Sequence, residues 1–161
     1  MSERIYRVLF LCTGNSARSQ MAEALTNVLG RGRVHAYSAG SDPSGHIQPL
    51  ALKLIEEFGY STARLRSKSW NEFSAPGAPA MDFVITVCDN AAGEVCPVWP
   101  GRPIFVHWGV PDPAQTPDDP AAFRAAWVTL RRRVELLLAL PLEKLDHLAQ
   151  EQHLRQIAHE S

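Results

Sequence analysis

The sequence predicts an α/β domain built on a four-stranded, mostly parallel sheet flanked by helices. Three observations carry that expectation. Stretches at residues 8–11, 34–39, 83–87 and 104–107 have the length and character of strands, and polar or glycine-containing segments follow them. Segments with helical spacing separate most of these runs, as parallel strands joined by crossovers require. Finally, Cys12, Cys88 and the loop carrying Asp112 each follow a strand directly, and α/β sheets bind ligands beyond the C-terminal ends of their strands.

The first strand is the four apolar residues Val8, Leu9, Phe10 and Leu11, expected to be buried on both faces. It runs into Cys12, a tight loop and then a helical pattern in which Met21, Leu25 and Val28 share one face. Residues 34–39 form the second strand, closed by Gly40 and the turn-rich residues 41–45. Ile47, Leu50, Ala51, Leu54, Ile55 and Phe58 then keep helical spacing, with Pro49 fitting the opening turn and Gly59 the position past the end. Trp70 and Phe73 suit a short packed helix, and residues 75–79 are a loop. The β-branched run at 83–87 delivers Cys88, a polar loop holds Asp89, Asn90, Gly93 and Cys96-Pro97, and residues 104–107 end in His107-Trp108-Gly109. Asp119-Pro120 reads as an N-cap and first-turn proline for a helix carrying Phe123, Trp127, Leu130, Val134, Leu137 and Leu138. Residues 142–158 form a last helical segment with a thinner stripe of Leu142, Leu145 and Leu148, either packed on the domain or available for self-association. The expected organisation is one catalytic domain at 1–140 and a helical extension at 141–161.

At 161 residues the chain is long enough for a proper core, and its formal net charge of −1 gives no electrostatic footprint for nucleic acid or an acidic membrane. The one basic run, Arg131-Arg132-Arg133, falls in a helical pattern and reads as a solvated face. No apolar stretch approaches a membrane span and no signal-peptide apolar region opens the sequence, so a cytoplasmic location is expected. Three cysteines in such a compartment argue against a structural disulfide framework and toward reactive thiols.

The chemistry concentrates in Cys12-Thr13-Gly14-Asn15-Ser16-Ala17-Arg18-Ser19. A loop wrapping onto a helix N-terminus points backbone N–H groups into one concavity, and the helix dipole adds positive potential. Gly14 is expected to permit the tight curl, and Arg18 supplies a planar fork suited to a tetrahedral oxyanion. A cysteine facing such donors should ionise easily. The expected site is an oxyanion cradle formed by Thr13, Gly14, Asn15, Ser16, Ala17, Arg18 and Ser19, with Cys12 as the nucleophile at its floor.

This motif resembles the active-site loop of low-molecular-weight protein tyrosine phosphatases and of their relatives, the thioredoxin-coupled arsenate reductases. Asp112-Pro113 matches the aspartate–proline pair that supplies the family's general acid, and the likeness runs from about Arg4 to about Leu140. Ser38-Ala39-Gly40, Arg66-Ser67-Lys68-Ser69-Trp70, Cys88-Asp89 and His107-Trp108-Gly109 match the reductase branch. The phosphatases typically place tyrosines after the aspartate–proline pair, whereas Ala114 and Gln115 stand here. Cys88 and Cys96 have no use in a phosphatase but fit a reductase.

The resemblance implies a low-molecular-weight phosphatase-like fold with an extra C-terminal helix, and arsenate reduction through a disulfide relay. Cys12 would attack arsenate held by the loop and Arg18, Asp112 would protonate the departing oxygen, and Cys88 and then Cys96 would carry the disulfide outward. Electrons would come from reduced thioredoxin, or from glutaredoxin with glutathione, or mycothiol, if Cys96 cannot reach Cys88; no bound cofactor is implied. Ser19 is expected to hydrogen-bond Cys12 and Asn15 to support the loop. Some reductases of the family hold potassium near residues matching Asn15, Glu23 and Ser38; here Lys68 can supply that charge, so no metal is expected. His107 and Trp108 are expected to pack or orient the acid loop. The competing readings are a phosphotyrosine phosphatase working through a Cys12-phosphate intermediate, and a non-catalytic oxyanion-binding module.

Overall fold

Four strands, β1 (Tyr6–Cys12), β2 (Val34–Gly40), β3 (Phe83–Thr86) and β4 (Ile104–His107), form a sheet in the order β2-β1-β3-β4. Every pair is parallel, so the sheet is parallel throughout rather than mostly so. The computed structural model describes residues 4–88 and 102–160. Helices α1 (Arg18–Leu29), α2 (Pro49–Glu57), α3 (Pro120–Leu138) and α4 (His147–Glu160) pack around the sheet, with a short 3-10 turn at Trp70–Phe73. Among the described residues no helix is long and apolar enough to cross a membrane.

Central position explains the unbroken apolar run of β1. Val8, Leu9, Phe10 and Leu11 are all fully buried because both faces of the strand are covered. Val8 and Phe10 join the larger core with Met21, Leu25, Phe123 and Leu130 from the helices. Leu9 and Leu11 point the other way, into a smaller core with Val84, Trp70, Phe73 and Met81. Each such side chain removes roughly 1.5–3 kcal/mol worth of apolar surface from water.

The chain leaves β1 toward β2 on one side and returns to β3 on the other. The two connections diverge at the C-terminal ends of β1 and β3, which opens the crevice where α/β sheets bind ligands. Cys12 ends β1 and Cys88 lies just past β3, so both thiols stand at this switch point.

Local signals act as their chemistry dictates. The Asp119 carboxylate accepts from Ala121 N at 3.0 Å, and Pro120 opens α3. Gly59, at φ +95°, follows α2 in the left-handed conformation that side chains resist. Two expectations require correction. Arg133 is buried while Arg131 and Arg132 are exposed, because the helical repeat places position 133 on the face of Leu130, Val134 and Leu137; its Nη1 donates to Gly109 O at 3.0 Å. The C-terminal segment is not one helix from residue 142. A 3-10 turn at Leu142–Lys144 precedes α4, and the Asp146 carboxylate caps α4 by accepting from Ala149 N at 2.8 Å. That break changes the buried face: Leu142, Leu154 and Ile157 enter the main core, while Leu148 is 63% exposed.

Where β2 meets β1, Cys12 pairs with Gly40. A Cβ at residue 40 would stand 2.3 Å from Thr13 O and 3.0 Å from Cys12 O. These are backbone atoms of the cradle and cannot swing aside. Gly40→Ala is therefore expected to lower stability by about 1–3 kcal/mol, the range for overpacking, read as a lower urea midpoint, and to weaken oxyanion protection of Cys12 against alkylation. An unchanged midpoint with unchanged protection would show that the loop tolerates the shift.

Candidate active site

The loop between β1 and α1 can cradle an anion only if its amides face inward, which requires its carbonyls to find partners outside. They do. Thr13 O accepts from Asp42 N at 3.0 Å, Gly14 O from Ser44 N at 3.0 Å, and Ser16 O from Gln48 N at 2.8 Å. Asn15 O accepts from Gln20 Nε2 at 3.1 Å, and Ala17 O takes the first helical bond from Met21 N. The turn-rich segment after β2 is thus a scaffold that draws the loop's oxygens away from the helix N-terminus.

The conformational role expected of Gly14 belongs to Asn15. Asn15 has φ +49°, in the left-handed region that asparagine tolerates better than most residues, whereas Gly14 has ordinary space for a Cβ. Asn15 is fully buried and held on every polar atom of its side chain. Its Nδ2 donates to Ser19 Oγ at 2.8 Å, and its Oδ1 accepts from Gln20 Nε2 at 2.9 Å and Lys68 N at 3.0 Å. Ser19 therefore enters the loop through Asn15, not through the expected bond to Cys12. Gln20 and Ser67 were not legible as site residues, yet Gln20 also donates to Arg66 O, and Ser67 Oγ donates to Gly14 O at 3.2 Å.

Cys12 and Cys88 are free thiols, 5% and 3% exposed, one ending β1 and the other just past β3. Thr13 N donates to Cys88 Sγ at 3.2 Å, so the first amide of the loop faces the second cysteine. The contact with Cys88 and burial push the Cys12 thiol well above its ordinary range, against the opposing pull of Arg18 and Thr13 N–H. Easy ionisation of Cys12, expected from the donors alone, is thus corrected: a neighbouring thiol and a dry site outweigh them.

Arg18 opens α1 and spans the crevice. Its Nη1 donates to Val110 O at 2.7 Å, and its Nη2 lies 3.6 Å from Asp112 Oδ1. Asp112 also accepts from Ala114 N at 2.9 Å, which fixes the carboxylate at the start of a 3-10 turn, Pro113–Gln115. A cavity of about 490 Å³ is lined by Arg18, Cys88, Gly109, Val110, Pro111, Asp112 and Gln115. Arg18, Cys88 and Asp112 therefore face one cavity, and the Thr13 amide after Cys12 reaches it through its bond to Cys88. Cys96 lies outside the described residues.

Beneath the loop is a buried charged pair. Ser38 Oγ donates to Glu23 Oε1 at 2.7 Å, and Lys68 Nζ stands 3.8 Å from the same oxygen while donating to Arg66 O at 2.9 Å. Lys68 thus occupies the position between Glu23 and Ser38 where the family resemblance would put potassium, and the residues do not fit a resident ion there. Burial raises Glu23 above the usual carboxylate value against the pull of Lys68, and burial lowers Lys68 against the pull of Glu23. Desolvation exceeds mutual attraction for both partners, so the pair orients the site without stabilising the fold.

Lys68→Met is expected to destabilise the protein by about 3 kcal/mol by leaving Glu23 buried and unpaired, and Glu23→Gln with Lys68→Met to restore most of it. Because Glu23 is raised in the fold, its protonated form is favoured there. The single-variant penalty should be least below the unfolded carboxylate value of 4.5 and grow as pH rises through the folded value. Denaturant melts across that range check both; a double variant no more stable than the single one would refute the account.

Comparison with known proteins gives this geometry its relatives. The model of the low molecular weight phosphotyrosine protein phosphatase family matches residues 7–153. An arsenate reductase of Halalkalibacterium halodurans is 39% identical over 108 residues, covering 67% of this chain and 74% of its own. A glutaredoxin arsenate reductase of Synechocystis is 32% identical over 133 residues, 83% of this chain and 96% of its own. Among solved structures, an arsenate reductase in the phosphate binding state superposes with TM-score 0.66 at 31% identity, covering 84% of this chain and 98% of its own. The thioredoxin-dependent arsenate reductase of Corynebacterium glutamicum gives 0.61 at 26% identity, covering 84% of this chain and 61% of its own. With its parallel sheet and a family match over nearly its whole length, the chain belongs to the low molecular weight phosphotyrosine protein phosphatase family.

Proposed function

We propose that this protein is an arsenate reductase that converts arsenate to arsenite through Cys12, Cys88 and Cys96. The observation that carries the reading is that Cys88 Sγ accepts at 3.2 Å from the amide of Thr13, the residue after Cys12, so a second thiol stands at the loop that would hold the oxyanion. Hydrolysis of a phosphate ester needs one thiol there; two adjacent thiols supply the two electrons that reduction requires. The named reductases among its relatives support the same choice.

In this mechanism, arsenate enters the loop against the amides of residues 13–18 and the Arg18 fork. Cys12 gives its thiol proton to an oxygen of the bound arsenate, its Sγ then forms a bond to arsenic, and an arsenate oxygen leaves as water on receiving a proton from Asp112. Thr13 N–H stabilises Cys88 as a thiolate, and Cys88 Sγ attacks Cys12 Sγ. The S–S bond forms, the S–As bond breaks, and its electron pair remains on arsenic, releasing arsenite. Cys96 then attacks Cys88 Sγ, frees Cys12 as a thiol and moves the disulfide to Cys88–Cys96. A reduced thioredoxin or a glutaredoxin–glutathione system restores the pair. No resident cofactor takes part.

The phosphatase alternative shares Cys12, Arg18 and Asp112 and differs in what Cys88 contributes. With a thioredoxin system, the wild type should oxidise NADPH in the presence of arsenate, and Cys88→Ser should turn over at background rate. Cys96→Ser should retain one round of arsenite release but lose thioredoxin-linked turnover. Robust p-nitrophenyl phosphate hydrolysis in all three, without arsenate reduction, would establish the phosphatase instead. Since the neighbouring Cys88 pushes the Cys12 thiol upward, Cys88→Ala should also lower the apparent pKa of Cys12, seen as thiolate absorbance or alkylation developing at lower pH.

A further inference from the structure

The loop that carries Asp112 is fastened at its base to a helix far along the chain. Trp108 immediately follows β4 and is fully buried. Its backbone N donates to Thr86 O at 2.7 Å, extending the β3–β4 ladder by one residue, and its ring packs against Phe10 with centroids 6.2 Å apart. The indole Nε1–H crosses to α4 and donates to Leu154 O at 2.9 Å. Leu154 lies inside α4, where a carbonyl engaged by the helical bond still has a second lone pair for the indole. Leu154 and Ile157 side chains lie in the main core beside this contact.

The residues after Trp108 are the ones the site uses. Gly109 O accepts from Arg133 Nη1, Val110 N donates to Val87 O, and Val110 O accepts from Arg18 Nη1. Asp112 follows, facing Arg18. A rotation of the indole would shift Gly109 and Val110 and move both Asp112 and the carbonyl that holds Arg18. Without Leu154 O, the indole N–H would be a buried donor with no partner, which favours such a rotation.

We propose that α4 is a positioning element for the acid loop and that Trp108 is the residue through which it acts. The helix sets the indole, and the indole sets where Gly109–Asp112 stand relative to Cys12. This inference rests on the reading of Asp112 as the proton donor in the arsenate reaction.

The test is single-turnover arsenate consumption by the reduced full-length chain, as a function of arsenate and pH, with rates normalised to titratable Cys12. Trp108→Phe keeps a ring on Phe10 and deletes the indole donor; Leu154→Ala keeps the carbonyl but loosens α4; Asp112→Asn is the reference. Trp108→Phe is expected to slow the saturated rate about tenfold, a modest fraction of what small misplacement of a catalytic group can cause, with half-saturating arsenate unchanged. It should also displace the pH limb that Asp112→Asn abolishes, and Leu154→Ala should do the same to a smaller degree. Normal rates and pH profiles in Trp108→Phe and Leu154→Ala, with Asp112→Asn slow, would overturn the role of α4 alone. A normal rate in Asp112→Asn would overturn the acid assignment and this inference with it. Should Trp108→Phe fail to fold, Leu154→Ala decides.

Discussion

The structure depends on turning the carbonyls of residues 13–16 away from the concavity that their amides line. Peptide groups have two ends, and a loop that offers its amides to an anion must dispose of its oxygens. Here the backbone of residues 42–48 and the Gln20 side chain receive them. Asn15 completes the turn by adopting φ +49° and by tying its side chain to Ser19, Gln20 and Lys68. The cradle is therefore shaped from outside. Its own sequence supplies the amides, and the segments on either side of β2 and before the Trp70–Phe73 turn supply the form.

That organisation gives each thiol a different environment within one contact. Cys12 is pushed toward its protonated form by Cys88 and by burial, while Arg18 and the Thr13 amide oppose this. In the proposed reaction the second thiol supplies the disulfide partner, and its presence also raises the cost of ionising Cys12 until the balance of charge changes. In the proposed reaction that change comes when Cys12 bonds to arsenic. Cys12 then no longer competes for the proton, and the Thr13 amide beside Cys88 Sγ can act on the thiolate that attacks next.

Beneath the loop, Glu23, Ser38 and Lys68 show why a buried charge need not be a stabilising one. Both ionised partners lose more to desolvation than they recover from each other. Their return is geometric: Lys68 N fixes Asn15 while Lys68 Nζ holds Glu23. A hydrophobic side chain at residue 68 would keep the backbone N–H that holds Asn15 but lose the ammonium that faces Glu23 and Ser38.

Much of this was readable in the chain. The apolar run of β1, the strand–loop–helix around Cys12, the fourth strand at Ile104–His107 and the Asp119-Pro120 start of α3 all follow from local chemistry, because burial on two faces and capping leave direct marks in the residue order. The sequence could not show that Arg133 turns inward, since a run of three arginines has no phase until a helix is set against a core. Nor could it show that Asn15 rather than Gly14 takes the left-handed conformation, or that Gln20 and Ser67 brace the loop, because their partners are backbone atoms distant along the chain. By itself, then, the sequence determined the parallel α/β frame and the residues able to do the chemistry. Only the tertiary structure decided the surroundings of Cys12, the bracing of the cradle and the tie from α4 to the acid loop, because each depends on groups that folding alone brings within a few ångströms.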